Sequence, residues 1–134
     1  MNCTEFNADT IPVKEAIPQD LLRQIKEMQK CGKCAQCLYA YILLAPTMND
    51  EELIGLFGRD MLEDLELKAE LDELAGFKLN PYPNRLRIAR VNKCLQSISL
   101  QQERGGKALI KHYINECIKQ YEGDMIEEYF NMAP

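Results

Sequence analysis

The sequence predicts an all-α fold, a compact bundle of five or six helices with a short extended arm at the N-terminus. Apolar residues recur at steps of three and four along most of the chain, which is the period of one helix face. Only 7 glycines and 6 prolines interrupt the 134 residues, and strong helix formers dominate. The length suits one domain. We therefore expect residues 1–17 to form an extended or flexible arm and residues 18–134 to form a single helical domain.

The first helical pattern runs from Pro18 to Pro46. One face of it carries a continuous apolar stripe, made of Leu21, Ile25, Met28, Cys31, Ala35, Leu38, Ile42 and Ala45. Gly32 lies in the middle and costs about 1 kcal/mol relative to alanine in a helix, so the pattern also allows a kink or a break there. The spacing predicts one helix face across the whole segment.

Capping signals and glycines divide the rest of the chain. Asn49 and Glu52 have the spacing of a capping box, and the same spacing recurs later. The predicted helices span residues 49–57, 61–75, 85–104, 107–121 and 124–132, with a proline-containing loop at 77–84. In the fourth of these helices the apolar stripe predicts that Ile114 and Cys117 are buried and that His112 is exposed.

Charge is strongly divided along the chain. Residues 49–74 carry ten acidic and two basic residues, whereas residues 75–121 carry nine basic and two acidic residues. Such division favours a partner-binding surface, or a basic face that pairs with the acidic 60–73 helix. The residues predicted to bind a partner are Arg85, Arg87, Arg90, Lys93, Arg104 and Lys107. A protein partner is the favoured interpretation, and the divided charge is also compatible with a homodimer. Nucleic-acid binding through residues 85–107 is the alternative, although the isoelectric point near 5.0 opposes it.

Three of the six cysteines form a C-x2-C-x2-C run, made of Cys31, Cys34 and Cys37. Such spacing is compatible with zinc or an iron–sulfur cluster. The fourth ligand would be another cysteine, either Cys3, Cys94 or Cys117. On an unbroken helix, however, the three side chains would spread over about 120° and could not converge on one ion. We therefore expect buried structural thiols and no cofactor, with metal binding as the alternative.

No catalytic motif is recognisable. The chain lacks GxSxG, HExxH and GxxxxGK[ST] sequences, and its single histidine, His112, is predicted to face away from Cys117. No stretch resembles a secretory signal or a membrane span, which predicts a cytoplasmic protein. The sequence thus predicts a non-enzymatic helical interaction module, such as a regulator, an adaptor or a small subunit.

Overall fold

The structure, a computed structural model, describes residues 17–77 and 85–117, and these residues form helices and turns without any strand. The α-helices are α1 (Gln19–Glu27), α2 (Ala35–Leu44), α3 (Asp50–Phe57), α4 (Lys68–Ala75), α5 (Arg85–Ser99) and α6 (Ala108–His112). The predicted all-α class is confirmed. None of these helices is long and apolar enough to cross a membrane. The arm predicted at 1–17, except for Ile17, and the helix predicted at 124–132 lie outside the described residues.

Helix α2 forms the centre of the bundle. Every residue from Cys37 to Ala45 is buried, including Tyr39 and Tyr41, and the helix carries no charged residue. It packs against α3, α4 and α5. Each fully buried aliphatic side chain contributes about 1.5–3 kcal/mol, so α2 supplies a large share of the hydrophobic stabilisation.

The segment from Pro18 to Pro46 is not one continuous helix: the break that Gly32 allowed does occur, and it separates α1 from α2. Gly32 adopts a φ of 74°, which an L side chain rarely adopts. A Cβ atom at this position would also lie 2.6 Å from the carbonyl oxygen of Phe57 at the end of α3. Glycine at this position therefore allows the left-handed backbone conformation and lets the turn approach α3 closely.

The predicted capping box at the start of α3 is confirmed. The Asn49 side chain accepts a hydrogen bond from the Glu52 amide at 2.8 Å, and the Glu52 carboxylate accepts one from the Asn49 amide at 3.3 Å. Gly58 ends the helix in the left-handed conformation, with a φ of 81°.

The helix predicted at 61–75 begins later than expected. Two short 3₁₀ turns, Met61–Glu63 and Leu65–Leu67, precede α4. The Asp60 carboxylate accepts the Leu62 amide at 3.1 Å and Asp64 accepts the Glu66 amide at 3.0 Å. These aspartates favour tight turns because their side chains compete with helical hydrogen bonds for nearby amides.

The helix predicted at 85–104 ends earlier, at Ser99, and a series of turns leads to α6. Buried Asn92 joins three helices: it donates to the carbonyls of Ala75 and Ile88, each at 2.9 Å, and accepts from the Tyr113 hydroxyl at 2.7 Å. Helices α4 and α5 are neighbours, as the short connection between them predicts.

The predicted phase of the 107–121 helix is partly wrong. Ile110 and Tyr113 are buried, but Ile114 is 36% exposed and the His112 side chain is only 13% exposed. A π-helical turn, Tyr113–Cys117, follows α6. Ile114 therefore lies in a π-helical turn and not in the regular α-helix that the apolar stripe predicts. The Cys117 side chain lies outside the described part of the structure.

Candidate functional site

The cysteine cluster, made of Cys31, Cys34 and Cys37, lies where the chain turns from α1 into α2. Because Gly32 breaks the helix, the three side chains converge instead of spreading around a helix. Their sulfur atoms all lie within 4.8 Å of one another. The Sγ atoms of Cys31 and Cys37 are 3.8 Å apart. These three residues could therefore hold a metal ion.

Backbone amides surround these sulfur atoms. The Cys31 amide donates to Cys37 Sγ at 3.3 Å, the Lys33 amide to Cys31 Sγ at 3.4 Å, and the Cys37 amide to Cys34 Sγ at 3.4 Å. Cys34 is also the N-cap of α2, where the helix dipole favours negative charge. The local backbone thus directs three amide donors at the sulfur atoms.

Cys94 does not join the cluster. Within residues 17–77 and 85–117, no further histidine, cysteine or carboxylate belongs to it. Burial raises the pKa of the Cys94 thiol to about 11, despite the nearby charges of Arg90 and Lys93, so this residue stays protonated at neutral pH. The side chains of Cys3 and Cys117, the other suggested ligands, are not among those described.

The six basic residues predicted to bind a partner do not share one exposed face. Arg90 and Arg104 are 5% and 3% exposed, and Lys107 forms internal ion pairs. Arg87 lies over the ring of buried Tyr39, with its guanidinium carbon 5.3 Å from the ring centroid. Arg85 and Lys93 are exposed. Partner binding by these residues stays a prediction.

Arg104 is the centre of a buried ionic cluster that joins α2, α3 and the segment before α6. Its Nε donates to Asp50 Oδ1 at 2.9 Å, and its two terminal nitrogens donate to the carbonyls of Ala45 and Met48. Carbonyls at a helix C-terminus lack helical partners, and a cation there is favourable. Arg104 therefore both caps α2 and holds the first residue of α3.

Lys107 and two aspartates complete this ionic cluster. Lys107 Nζ lies 3.1 Å from Asp50 Oδ2 and also pairs with Asp60, which accepts the Tyr41 hydroxyl at 3.2 Å. Burial alone would raise the pKa of Asp50, but the hydrogen bonds and charges of Lys107 and Arg104 outweigh it and lower that pKa. Burial alone would lower the pKa of Lys107, but Asp60 and Asp50 raise it. The pKa of Tyr41 is raised mainly by burial and, to a smaller extent, by the negative charge of Asp60.

His112 lies in a groove of about 430 Å³ beside the ionic cluster. Its Nε2 is 2.8 Å from Asp72 Oδ1 on α4, a residue 40 positions earlier in the sequence. The groove is lined by Glu63, Leu65, Lys68, Gly106, Ala108, Lys111, His112, Asn115 and Glu116. Sequence reasoning missed this histidine–carboxylate pair, because no local pattern relates two residues so far apart.

Comparison with known proteins supplies the family. Residues 20–128, which is most of the chain, match the family described as the MurL C-terminal domain. The chain belongs to this family. Over 48 residues it is also 35% identical to the UDP-N-acetyl-alpha-D-muramoyl-L-alanyl-L-glutamate epimerase of Xanthomonas oryzae pv. oryzae. That match covers 36% of this chain and 11% of the Xanthomonas protein. No solved structure matches the chain.

These similarities correct the functional prediction. A non-enzymatic adaptor or regulator is wrong, because the family and its Xanthomonas relative both point to an epimerase. The sequence prediction failed because it looked for a short catalytic motif within the chain. The family match extends over the whole domain, and the His112–Asp72 contact joins two distant positions, so no short motif reveals either.

Proposed function

We propose that this chain is a domain of an epimerase that acts on a UDP-linked muramoyl-alanyl-glutamate peptide in the cytoplasm. The observation that carries the proposal is the family match over residues 20–128. The name of the Xanthomonas relative supplies the substrate class. Because the alignment spans about a tenth of that relative, the complete activity is proposed for an enzyme that contains this domain.

The His112 groove is the part of the domain that we assign to the substrate. Epimerisation at an α-carbon removes a proton from one face and returns one to the other, and a positioned histidine can carry out one of these two transfers. We assign His112 to one face, and an acid or base from elsewhere in the complete enzyme serves the opposite face. Asp72 holds the imidazole through its hydrogen bond with Nε2. Among the residues that the structure describes, His112 makes no other hydrogen bond, so its Nδ1 atom can serve the substrate.

Charge in the groove also suits this class of substrate. Lys68 and Lys111 line the groove and can each pair with a carboxylate or phosphate group, while Glu63 and Glu116 balance their charge, so the attraction is local to the two lysines. We therefore assign the two lysines to anion binding and His112 to proton transfer.

The test replaces the corresponding segment of the Xanthomonas epimerase with residues 20–128 of this chain. The chimera is incubated in D2O with UDP-N-acetylmuramoyl-L-alanyl-L-glutamate. The product is then hydrolysed, and the released amino acids are separated on a chiral column. We expect inversion of one amino acid, with deuterium at its α-carbon. A folded chimera that inverts neither alanine nor glutamate contradicts the proposal.

The role of His112 is tested in the same chimera. His112→Gln should lower turnover by about 10²–10⁴-fold, the usual contribution of a general acid or base. Arg23→Gln is the control, because Arg23 is exposed on α1 and pairs only with neighbouring Asp20 among the described residues. Equal turnover of the two variants would remove His112 from the mechanism while leaving the domain assignment intact.

A further inference from the structure

We propose that Cys31, Cys34 and Cys37 bind one zinc ion as three thiolate ligands of a tetrahedral site. This inference is independent of the proposed epimerase function. It rests on the convergence of three sulfur atoms within 4.8 Å at the turn between α1 and α2. Zinc is the natural occupant of such a site because thiolates are among its preferred ligands and it prefers four-coordinate geometry.

The distance between sulfur atoms favours a single ion. In a tetrahedral site with zinc–sulfur bonds of about 2.3 Å, two sulfur ligands lie about 3.8 Å apart. Cys31 Sγ and Cys37 Sγ are separated by 3.8 Å. In a [4Fe–4S] cluster each cysteine ligates a different iron atom, so the cysteine sulfurs lie farther apart than two ligands of one ion. The separation of this pair therefore matches two ligands of a single ion, and all three sulfur atoms stay within 4.8 Å of one another.

Exposure distinguishes these cysteines from ordinary core residues. Cys37 is buried, but Cys31 and Cys34 are only half-buried, at the edge of the core where the chain turns into α2. A cysteine that serves only as a small apolar side chain is usually buried in the core, and its packing does not require two further sulfur atoms nearby. Three amide hydrogen bonds to sulfur also match a site that holds thiolates.

Zinc binding at this site replaces the thiol protons by the metal ion and involves no electron transfer. Each thiol that coordinates zinc releases its proton to solvent as the sulfur–zinc bond forms, and zinc keeps its charge of two. The ion would link the turn after α1 to the first turn of α2. Because the Gly32 backbone packs against Phe57, α3 would be held to the same point.

The first measurement is metal binding by the unmodified protein. The reduced protein is titrated anaerobically with Co²⁺, a spectroscopic substitute for zinc, and zinc content is measured after purification without chelator. We expect one ion per chain, tetrahedral ligand-field bands and thiolate-to-cobalt charge transfer. Absence of stoichiometric binding, or a Cys31–Cys37 disulfide that persists in reductant, overturns the proposal.

The second measurement uses two matched serine variants. Cys34→Ser removes a ligand yet keeps an N-cap residue on α2, since serine is a strong cap, so the helix should still form. Cys94→Ser is the control, because Cys94 lies outside the cluster. Zinc should raise the Tm of wild type and Cys94→Ser, and Cys34→Ser should bind at least about tenfold more weakly. Equal zinc affinity of the two variants overturns the assignment.

Discussion

At the scale of single residues, buried polar groups organise the packing of this domain. Arg104, Asn92 and Lys107 each contact atoms far away in the sequence, and each is satisfied by carbonyls or carboxylates. Such groups stabilise one arrangement of helices over others, because leaving any of them unpaired in the interior costs about 1–3 kcal/mol or more. Their removal should therefore be costly.

Arg104 offers the clearest test of this argument. Arg104→Ala should lower the free energy of unfolding by about 2–5 kcal/mol, because the carbonyls of Ala45 and Met48 lose a buried donor and Asp50 loses one of its two cationic partners. Urea denaturation of both proteins measures the difference. Arg23→Ala is the matched control: its pair with Asp20 is exposed and should contribute about 0–1 kcal/mol. Similar losses in the two variants would show that the Arg104 contacts do not form.

The ionic cluster also predicts how stability depends on pH. Since the folded state lowers the pKa of Asp50, its contribution is fully present above the ordinary pKa of aspartate, about 3.9, and is lost as pH falls through the lower folded value. The stability difference between wild type and Asp50→Asn should be largest at neutral pH and shrink at acid pH. Urea titrations from neutral to acid pH measure it, and a difference that grows in acid would contradict the assigned sign.

At the scale of helices and turns, local sequence rules explain where some elements begin and end, but they do not explain which face of a helix is buried. The Asn49–Glu52 box and Gly58 bound α3 as expected, since each acts through neighbouring backbone groups. The π-helical turn after α6 follows no such local rule, and Ile114 within it is 36% exposed. The phase of this segment is therefore a property of its packing against α4 and α5.

Two isoleucines one turn apart test this phase. Ile110→Ala should cost about 2–5 kcal/mol because Ile110 is fully buried, whereas Ile114→Ala should cost less than about 1 kcal/mol. Thermal unfolding of the two variants gives the comparison. If the Ile114 variant were the less stable of the two, a regular α-helix would continue through residue 114.

At the scale of the whole molecule, α2 is the central element, against which α3, α4 and α5 pack. It is buried all round, and its two ends meet the cysteine cluster on one side and Arg104 on the other. The His112 groove adjoins the same ionic cluster through residues 106–108. The proposed zinc site and the proposed substrate groove are thus both tied to the central helix.

Hydrogen exchange should show this hierarchy directly. The amides of Leu38 to Ala45 should be the slowest to exchange, because their opening requires the bundle to unfold. The amides of α1 should exchange faster, since Ile25 is its only buried residue. Residue-resolved exchange by NMR measures both sets, and faster exchange in α2 than in α1 would contradict a core centred on α2.

The sequence by itself determined the helical class, the capping of α3 and the glycine that ends it, because each depends on the period of apolar residues or on contacts within a few positions. Only the tertiary structure decided the break at Gly32, the convergence of the cysteine cluster, and the contact of His112 with Asp72. A helical period defines an apolar face but not what that face will meet. Contacts between residues 40 to 59 positions apart depend on how whole helices pack, and that arrangement has no local signature.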